Sequence, residues 1–270
     1  MSTVVAVKVP EGLVLAADSA STLHVADGSQ VGVATIFNTA RKLIGLRDYP
    51  IGVARWGAGN MGARTPIGFV EQFENQLPPY SMVQNELSVR KTAEDLMKFL
   101  NEQFEKHGLK TLPVERQPQI GVIVGGYSAG RFFSDLLVFS IPKGEFLEPR
   151  PNSPTGEPHF GANWYGLVDA VVRLHHGRDD KIFGVFERLG VSKEVLEQAT
   201  KIINTEIQCA VPFSAMPLSD ALAYAEYLVN VVIGRFRFVV GPPLCDGPID
   251  VAAINRKKGF IWVKKKGVEA

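Results

Sequence analysis

The sequence predicts an α+β protein whose antiparallel sheets are covered by helices. Three observations carry that prediction. Apolar strand pairs joined by short turns open the chain, recur in its middle and close it. The elements run as strands, two helices, strands, helices, strands, without the regular strand–helix alternation of a parallel sheet. One long segment has an unmistakable helical period. Residues 3–9 and 13–17 are rich in Val, Leu and Ala and are joined by Pro10-Glu11-Gly12, which predicts two strands around a tight turn. Residues 20–40 are polar and Gly-containing and read as a long connection with short extended pieces. Lys42-Leu43-Ile44-Gly45-Leu46 and Ile51-Gly52-Val53-Ala54-Arg55 form the next expected hairpin, turning at Asp48-Tyr49-Pro50. A Gly-rich loop, 57–62, precedes an expected helix at 66–76, which Pro78-Pro79 ends.

Residues 86–106 form the clearest helix: Ala93, Leu96, Met97, Leu100 and Phe104 recur at spacings of three and four, and Glu94 and Lys98 stand four apart. Residues 120–126 and 131–141 read as a strand pair around Tyr127-Ser128-Ala129-Gly130. The Pro-rich stretch 148–158 leads into an expected helix over 163–175, and further helices are expected at 192–208 and 218–234. Strands at 249–255 and 259–264 close the chain. No internal repeat and no long linker divides it, so residues 1–270 are expected to be a single domain.

Composition narrows the function classes. The chain is 46% hydrophobic and 21% charged, ordinary for a soluble globular protein. Its net charge of +1 lacks the concentrated basic surface of a nucleic-acid binder. Its apolar runs are shorter than the roughly 18–20 residues of a membrane span, and the first residues do not read as a secretory signal. Lys264-Lys265-Lys266 reads as a solvated tail. Cys209 and Cys245 have neither metal spacing nor a disulfide framework and fit a reducing, cytoplasmic compartment. Cys209 is expected in the core. The adjacent His175 and His176 would point in different directions on a helix and form no ligand pattern. No cofactor or metal is expected.

Three motifs compete for the chemistry. Gly57-Ala58-Gly59-Asn60-Met61-Gly62 is a literal GxGxxG after a strand and before a helix, as a dinucleotide loop requires. The second strand with its terminal carboxylate is missing, so the loop reads better as backbone N–H groups presented for another purpose. Gly126-Tyr127-Ser128-Ala129-Gly130 is a literal GxSxG. A nucleophile elbow needs a helix after Ser128; the aromatic and branched residues that follow predict a returning strand, hence a hairpin turn. The third motif is the N-terminus. If Met1 is removed, Ser2 carries a hydroxyl nucleophile and a free α-amine on one residue. Asp18 ends the paired strand, Lys42 begins another, and Gly57 offers a backbone N–H. Each of these residues alone is ordinary.

Together they resemble the proteasome β subunits and their bacterial relatives, the N-terminal nucleophile hydrolases. The matching segments are Ser2-Thr3-Val4-Val5-Ala6-Val7-Lys8, Glu11 through Ser19, Arg41 through Leu46, and Gly52 through Asn60, in the family's order. Ala58-Gly59-Asn60, Gly161 with Tyr165-Gly166, and Gly247-Pro248-Ile249-Asp250 look most like the bacterial Anbu type. The resemblance implies a four-layer αββα sandwich and a peptidase or amidohydrolase in which Ser2 Oγ attacks a peptide carbonyl. Its own α-amine accepts the proton, Lys42 and Asp18 tune and orient it, and the Gly57 N–H stabilises the oxyanion. It further implies a peptide or protein substrate, a homo-oligomer in rings or stacks, and an ATP-driven unfoldase as the kind of partner such proteins often use. A non-catalytic assembly subunit is the alternative within the family, and a serine hydrolase using Ser128 the alternative outside it.

The sequence departs from the family at several points. The nucleophile is serine rather than the usual threonine, so its hydroxyl is less restrained. The loop matched to the family's serine-bearing glycine loop reads Gly161-Ala162-Asn163, and near the last strands Pro243 and Asp246 stand where an Asp and a Ser are usual. Asn163 and Asp246 are the side chains at hand to replace those supports.

Overall fold

The computed structural model describes residues 2–27, 30–153 and 157–267. The strands are β1 (Thr3–Val9), β2 (Gly12–Ala17), β3 (Ser21–Asp27), β4 (Gln30–Phe37), β5 (Leu43–Gly45), β6 (Ile51–Gly57), β7 (Ile120–Gly126), β8 (Asp135–Ile141), β9 (Phe146–Leu147), β10 (Gly161–Gly166), β11 (Asp250–Asn255) and β12 (Gly259–Lys264). The helices are α1 (Pro66–Glu74), α2 (Tyr80–Val83), α3 (Val89–Lys106), α4 (Asp169–His176), α5 (Lys181–Arg188), α6 (Lys193–Glu206) and α7 (Leu218–Phe238).

Among the described residues the strands form two five-stranded antiparallel sheets and a separate hairpin. One sheet runs β10-β1-β2-β11-β12, the other β5-β6-β7-β8-β9, and β3 pairs only with β4. Every residue of β1 and β2 is buried. The alternation of side chains across a strand explains why. Val4, Ala6, Leu13, Leu15 and Ala17 enter a core shared with Leu43, Ala54, Ile123, Leu136 and Val138 of the other sheet. Val5, Val7, Val14 and Ala16 enter a second core with Val171 of α4 and Ala221, Ala225, Leu228 and Val232 of α7. A strand buried on both faces has no polar face to show, which is why β2 and the middle of β1, Val4 to Val7, read as unbroken apolar runs. The far sheet is covered likewise: Phe69 and Phe73 of α1 and Ala93, Leu96, Leu100 and Phe104 of α3 pack on Val122, Val124, Leu137 and Phe139. Each large apolar side chain so buried contributes about 1.5–3 kcal/mol relative to exposure.

Several expectations change. The helix expected over 86–106 starts at Val89, where Ser88 Oγ accepts the Lys91 N–H as an N-cap. The return strand starts at Asp135 rather than at residue 131. The connection at 20–40 is the β3–β4 hairpin. The helix expected over 163–175 is two elements, β10 and then α4 from Asp169. Residues 161–166 pair along the outer edge of β1, from Lys8↔Gly161 to Thr3↔Gly166. That pairing satisfies the β1 backbone, a demand that local periodicity does not register. α2 and α5 have no counterpart among the elements expected from the sequence. Cys209 lies exposed beyond the end of α6 rather than in the core. The terminal lysines are not a free solvated run: Lys264 pairs with Glu226, and Lys266 pairs with Asp250, both side chains of the latter pair being buried. Among the described residues no helix is long and apolar enough to cross a membrane, and no group of His, Cys, Asp and Glu is arranged to hold a metal ion.

Candidate active site

Asp18 follows the last residue of β2, and antiparallel pairing of Val4 with Ala17 sets it beside the start of β1. Its carboxylate accepts three hydrogen bonds. Oδ1 accepts the Thr3 N–H at 2.8 Å and the Lys42 ammonium at 2.7 Å, and Oδ2 accepts the Ala20 N–H at 3.1 Å. The Lys42 and Asp18 side chains are 1% and 0% exposed, so this ion pair is fully desolvated. Lys42 precedes β5 and is held there by its carbonyl, which accepts the Arg55 N–H at 2.8 Å. The pair thus joins the two sheets at one end of the interface between them.

Ser2 sits at that junction, 1% exposed. Its carbonyl accepts the Leu167 N–H at 2.8 Å. Gly166, at φ +88, lies so close that a Cβ there would be 1.9 Å from Ser2 O and 3.6 Å from Trp56 Cβ. Only glycine fits, and through it Ser2 and the end of β6 border one another. Trp56 and Tyr165 stack beside this contact, with ring centroids 4.6 Å apart. Gly57, at φ +91, ends β6, and a Cβ there would strike Gln119 O at 2.2 Å. Ala58 N–H donates to Gln119 O on the β7 side, whereas Arg55 N–H points to Lys42. Strand alternation therefore directs the Gly57 N–H to the Lys42 side, past the start of β5. The structure brings Asp18 and Lys42 into contact and sets Gly166 between Ser2 and Trp56, the residue before Gly57. Among the described residues no hydrogen bond joins the Ser2 hydroxyl to Lys42 or Asp18.

The electrostatics are unbalanced. Arg55, also buried, donates to Ala58 O at 3.1 Å and to Arg41 O at 3.3 Å, and among the described residues its Nε has no partner. Two buried cations therefore face one carboxylate. Burial lowers the Lys42 pKa; Asp18 opposes the shift and Arg55 adds to it. Burial likewise lowers Arg55 to about 10, against the pull of Asp18. The excess positive charge favours either a neutral Lys42 or the arrival of a negative oxygen.

Sequence reasoning missed three neighbours. Thr3 donates its hydroxyl to Leu167 O at 2.9 Å and so ties β1 to the segment before α4. Cys245 Sγ–H donates to Thr3 Oγ1 at 3.4 Å, and burial, with Asp18 second, holds this thiol far above its ordinary pKa and neutral. Arg55 is the third. Thr3 is the first residue of β1, a position the sequence shows; nothing there points to Cys245. The loop matched to the family's glycine loop does not border Ser2. Gly161-Ala162-Asn163 lies opposite Lys8, Val7 and Ala6, and Asn163 Oδ1 accepts from Arg150 Nε, far from Ser2. Gly166-Leu167-Val168 is the turn that adjoins Ser2. Asp246 faces Asn38 with its side chain and reaches the site only through its carbonyl, which accepts the Ser19 N–H.

The other two motifs lie elsewhere or lack their context. Ser128 sits between antiparallel β7 and β8, donates to Asp135 and accepts the Val89 N–H at 3.0 Å; no helix follows it. The 57–62 loop is followed by α1, α2 and α3 rather than by a carboxylate-bearing strand.

The same fold occurs in solved structures. It is that of the Anbu proteins. A mutant Anbu from Hyphomicrobium sp. strain MC1 superposes with a TM-score of 0.54 at 18% identity, covering 98% of this chain and 86% of that one. The Anbu complex of Pseudomonas aeruginosa, described as a helical assembly, gives 0.56 at 17% identity over 98% and 88% of the two chains. Anbu from Yersinia bercovieri, described as an ancestral β-subunit, gives 0.52 at 16% over 98% and 88%. No protein-family profile and no curated protein matches the sequence. At such identities the likeness to Anbu is one of fold.

Proposed function

We propose that this chain is a proteasome-like N-terminal nucleophile hydrolase acting on peptide bonds. The observation that carries this reading is the desolvated Lys42–Asp18 pair at 2.7 Å, set against the first residues of β1. In this reading the three cores are those of a four-layer αββα sandwich, and residues 1–270 form one catalytic domain. Met1 lies outside the described residues; its removal frees the Ser2 α-amine. That amine, with a reference pKa of about 8, takes the Ser2 hydroxyl proton as Oγ attacks the peptide carbonyl. Asp18 holds Lys42 in place, and Lys42, with Arg55 behind it, keeps the amine neutral by like-charge repulsion. The Gly57 N–H receives the developing oxyanion, a contact whose loss typically costs about 2.7–4 kcal/mol. The proton then passes to the leaving amine, and water releases the acyl group from Ser2. The substrate is a peptide or unfolded protein, the working form a homo-oligomer, and an ATP-driven unfoldase would deliver folded substrates.

A second reading, a non-catalytic assembly subunit of the same fold, is favoured by one observation. Gly166-Leu167-Val168, the segment touching Ser2, carries no hydroxyl side chain that could support the nucleophile. One experiment separates the two: N-terminal sequencing together with hydrolysis of fluorogenic peptides by wild type and Ser2→Ala. The enzyme reading expects an N-terminal Ser2 and turnover abolished in the variant. A retained Met1 with no turnover selects the assembly subunit, and equal turnover by both proteins rejects Ser2.

A further inference from the structure

Among the described residues both sheets end in an edge strand that pairs on one side only, and the two edges border one groove. β12 is the last strand of one sheet and β5 of the other. Between them lies a groove of about 1080 Å³ lined by Leu43, Ile44, Phe260 and Trp262, with Arg41, Arg47, Lys265 and Lys266 around it. We propose that this groove receives an extended acidic peptide segment of another protein, which adds to β12 as a further strand.

Three features support that occupant. The first is the edge itself. β12 reads Gly-Phe-Ile-Trp-Val-Lys, strongly β-forming, without proline and without charge before Lys264. Exposed edges of this kind are usually blunted by inward charges or bulges, because their unpaired N–H and C=O groups recruit another strand. The second is shape. The Phe260 ring is pressed onto Gly45, where a Cβ would be 2.4 Å away, so the apolar floor is fixed rather than collapsible. The third is charge. Four cations line the groove against one carboxylate, Asp250, which Lys266 already neutralises. Glu71 and Glu74 meet Arg41 and Arg47 from outside the groove, yet those arginine side chains remain 53% and 54% exposed. Lys265 lies over the Trp262 ring, 5.3 Å from its centroid.

The same charge argues against a second copy of this chain. Two-fold antiparallel pairing centred on β12 would set Lys265 opposite Lys258 and Lys266 opposite Lys257 of the other copy, like charge against like charge. A strand alternating acidic and apolar residues meets both needs: one face fills the Phe260–Trp262 floor and the other meets the cations.

The test is calorimetric titration of the intact protein with a capped peptide alternating Glu with Val and Phe, and with its counterpart carrying Lys for Glu. The acidic peptide is expected to bind and the basic one not. Arg47→Glu and Lys265→Glu, both at exposed positions, should each weaken binding by about tenfold or more. Amide exchange should slow in β12 on binding. Equal affinity for the two peptides, affinity unchanged in both variants, no binding at all, or protection confined to other strands would overturn the proposal. So would a change of oligomeric state in either variant by sedimentation, which would give the groove to a second copy. None of these readouts depends on hydrolysis.

Discussion

Replacing Asp18 by Asn tests the centre of the proposed site. The amide keeps the size of the carboxylate, and its oxygen can still accept the Thr3 N–H. It removes the charge that faces Lys42 at 2.7 Å and turns an NH₂ toward the Ala20 N–H, which Oδ2 now accepts at 3.1 Å. The Lys42 side chain is 1% exposed, so water does not replace the lost partner. Breaking a buried pair from one side typically costs about 3–5 kcal/mol. Lys42 can escape part of that loss by shedding its proton, and about 1.4 kcal/mol corresponds to one pKa unit. The folded-state Lys42 pKa, already lowered by burial, therefore falls further in the variant, while the unfolded value stays at 10.5. Between the two values the unfolded chain binds more protons, so the variant gains stability with rising pH. Urea unfolding at pH 7 and pH 9.5 should show a deficit of about 3 kcal/mol or more at the lower pH, and a smaller one at the higher. A deficit below about 1 kcal/mol, or one that does not change with pH, would refute the placement of Lys42 and Asp18 as a desolvated pair.

Lys42→Ala should abolish peptidase turnover while leaving the assembly unchanged by sedimentation; wild-type rates in that variant would show that the base system is wrongly assigned. Gly166→Ala should destabilise the fold by on the order of 3 kcal/mol in denaturant titration, because its Cβ meets Ser2 O at φ +88; a neutral substitution would mean that β10 does not abut Ser2. Lys8, fully buried at the far end of β1, donates to Arg150 O and Asn152 Oδ1, and burial lowers it to about 8 from 10.5. The folded state loses this proton near pH 8 and the unfolded chain near 10.5. Wild-type stability relative to Lys8→Met should therefore rise with pH across that window, and a flat difference in paired unfolding curves would contradict the burial of the ammonium.

Much of the fold is legible locally. β1, β2, the β5–β6 hairpin, α1, α3, α7 and the closing hairpin follow from hydrophobic period and turn chemistry, which short stretches encode by themselves. Asp18 at the end of β2, Lys42 at the entry to β5 and Gly57 at the end of β6 are each ordinary by position; the family resemblance singled them out as a proposed site, and the structure pairs Asp18 with Lys42. What stayed hidden depends on partners distant in sequence. Residues 163–175 satisfy a helical pattern, and only the unpaired edge of β1 turns Gly161–Gly166 into a strand. That error also displaced the turn matched to the family's glycine loop, since Gly166 rather than Gly161 meets Ser2. Lys264, Lys265 and Lys266 look alike in the sequence. The tertiary structure sets one beside Glu226, lays one on Trp262 and buries one against Asp250. The sequence by itself determined the order of elements and the residue types brought to the N-terminal strand, because period and turn propensity act within a few residues. Which backbone edges pair, which charges lose their water and where Ser2 finds its neighbours were decided only by tertiary structure, because desolvation and strand pairing depend on segments that meet across more than a hundred residues of chain.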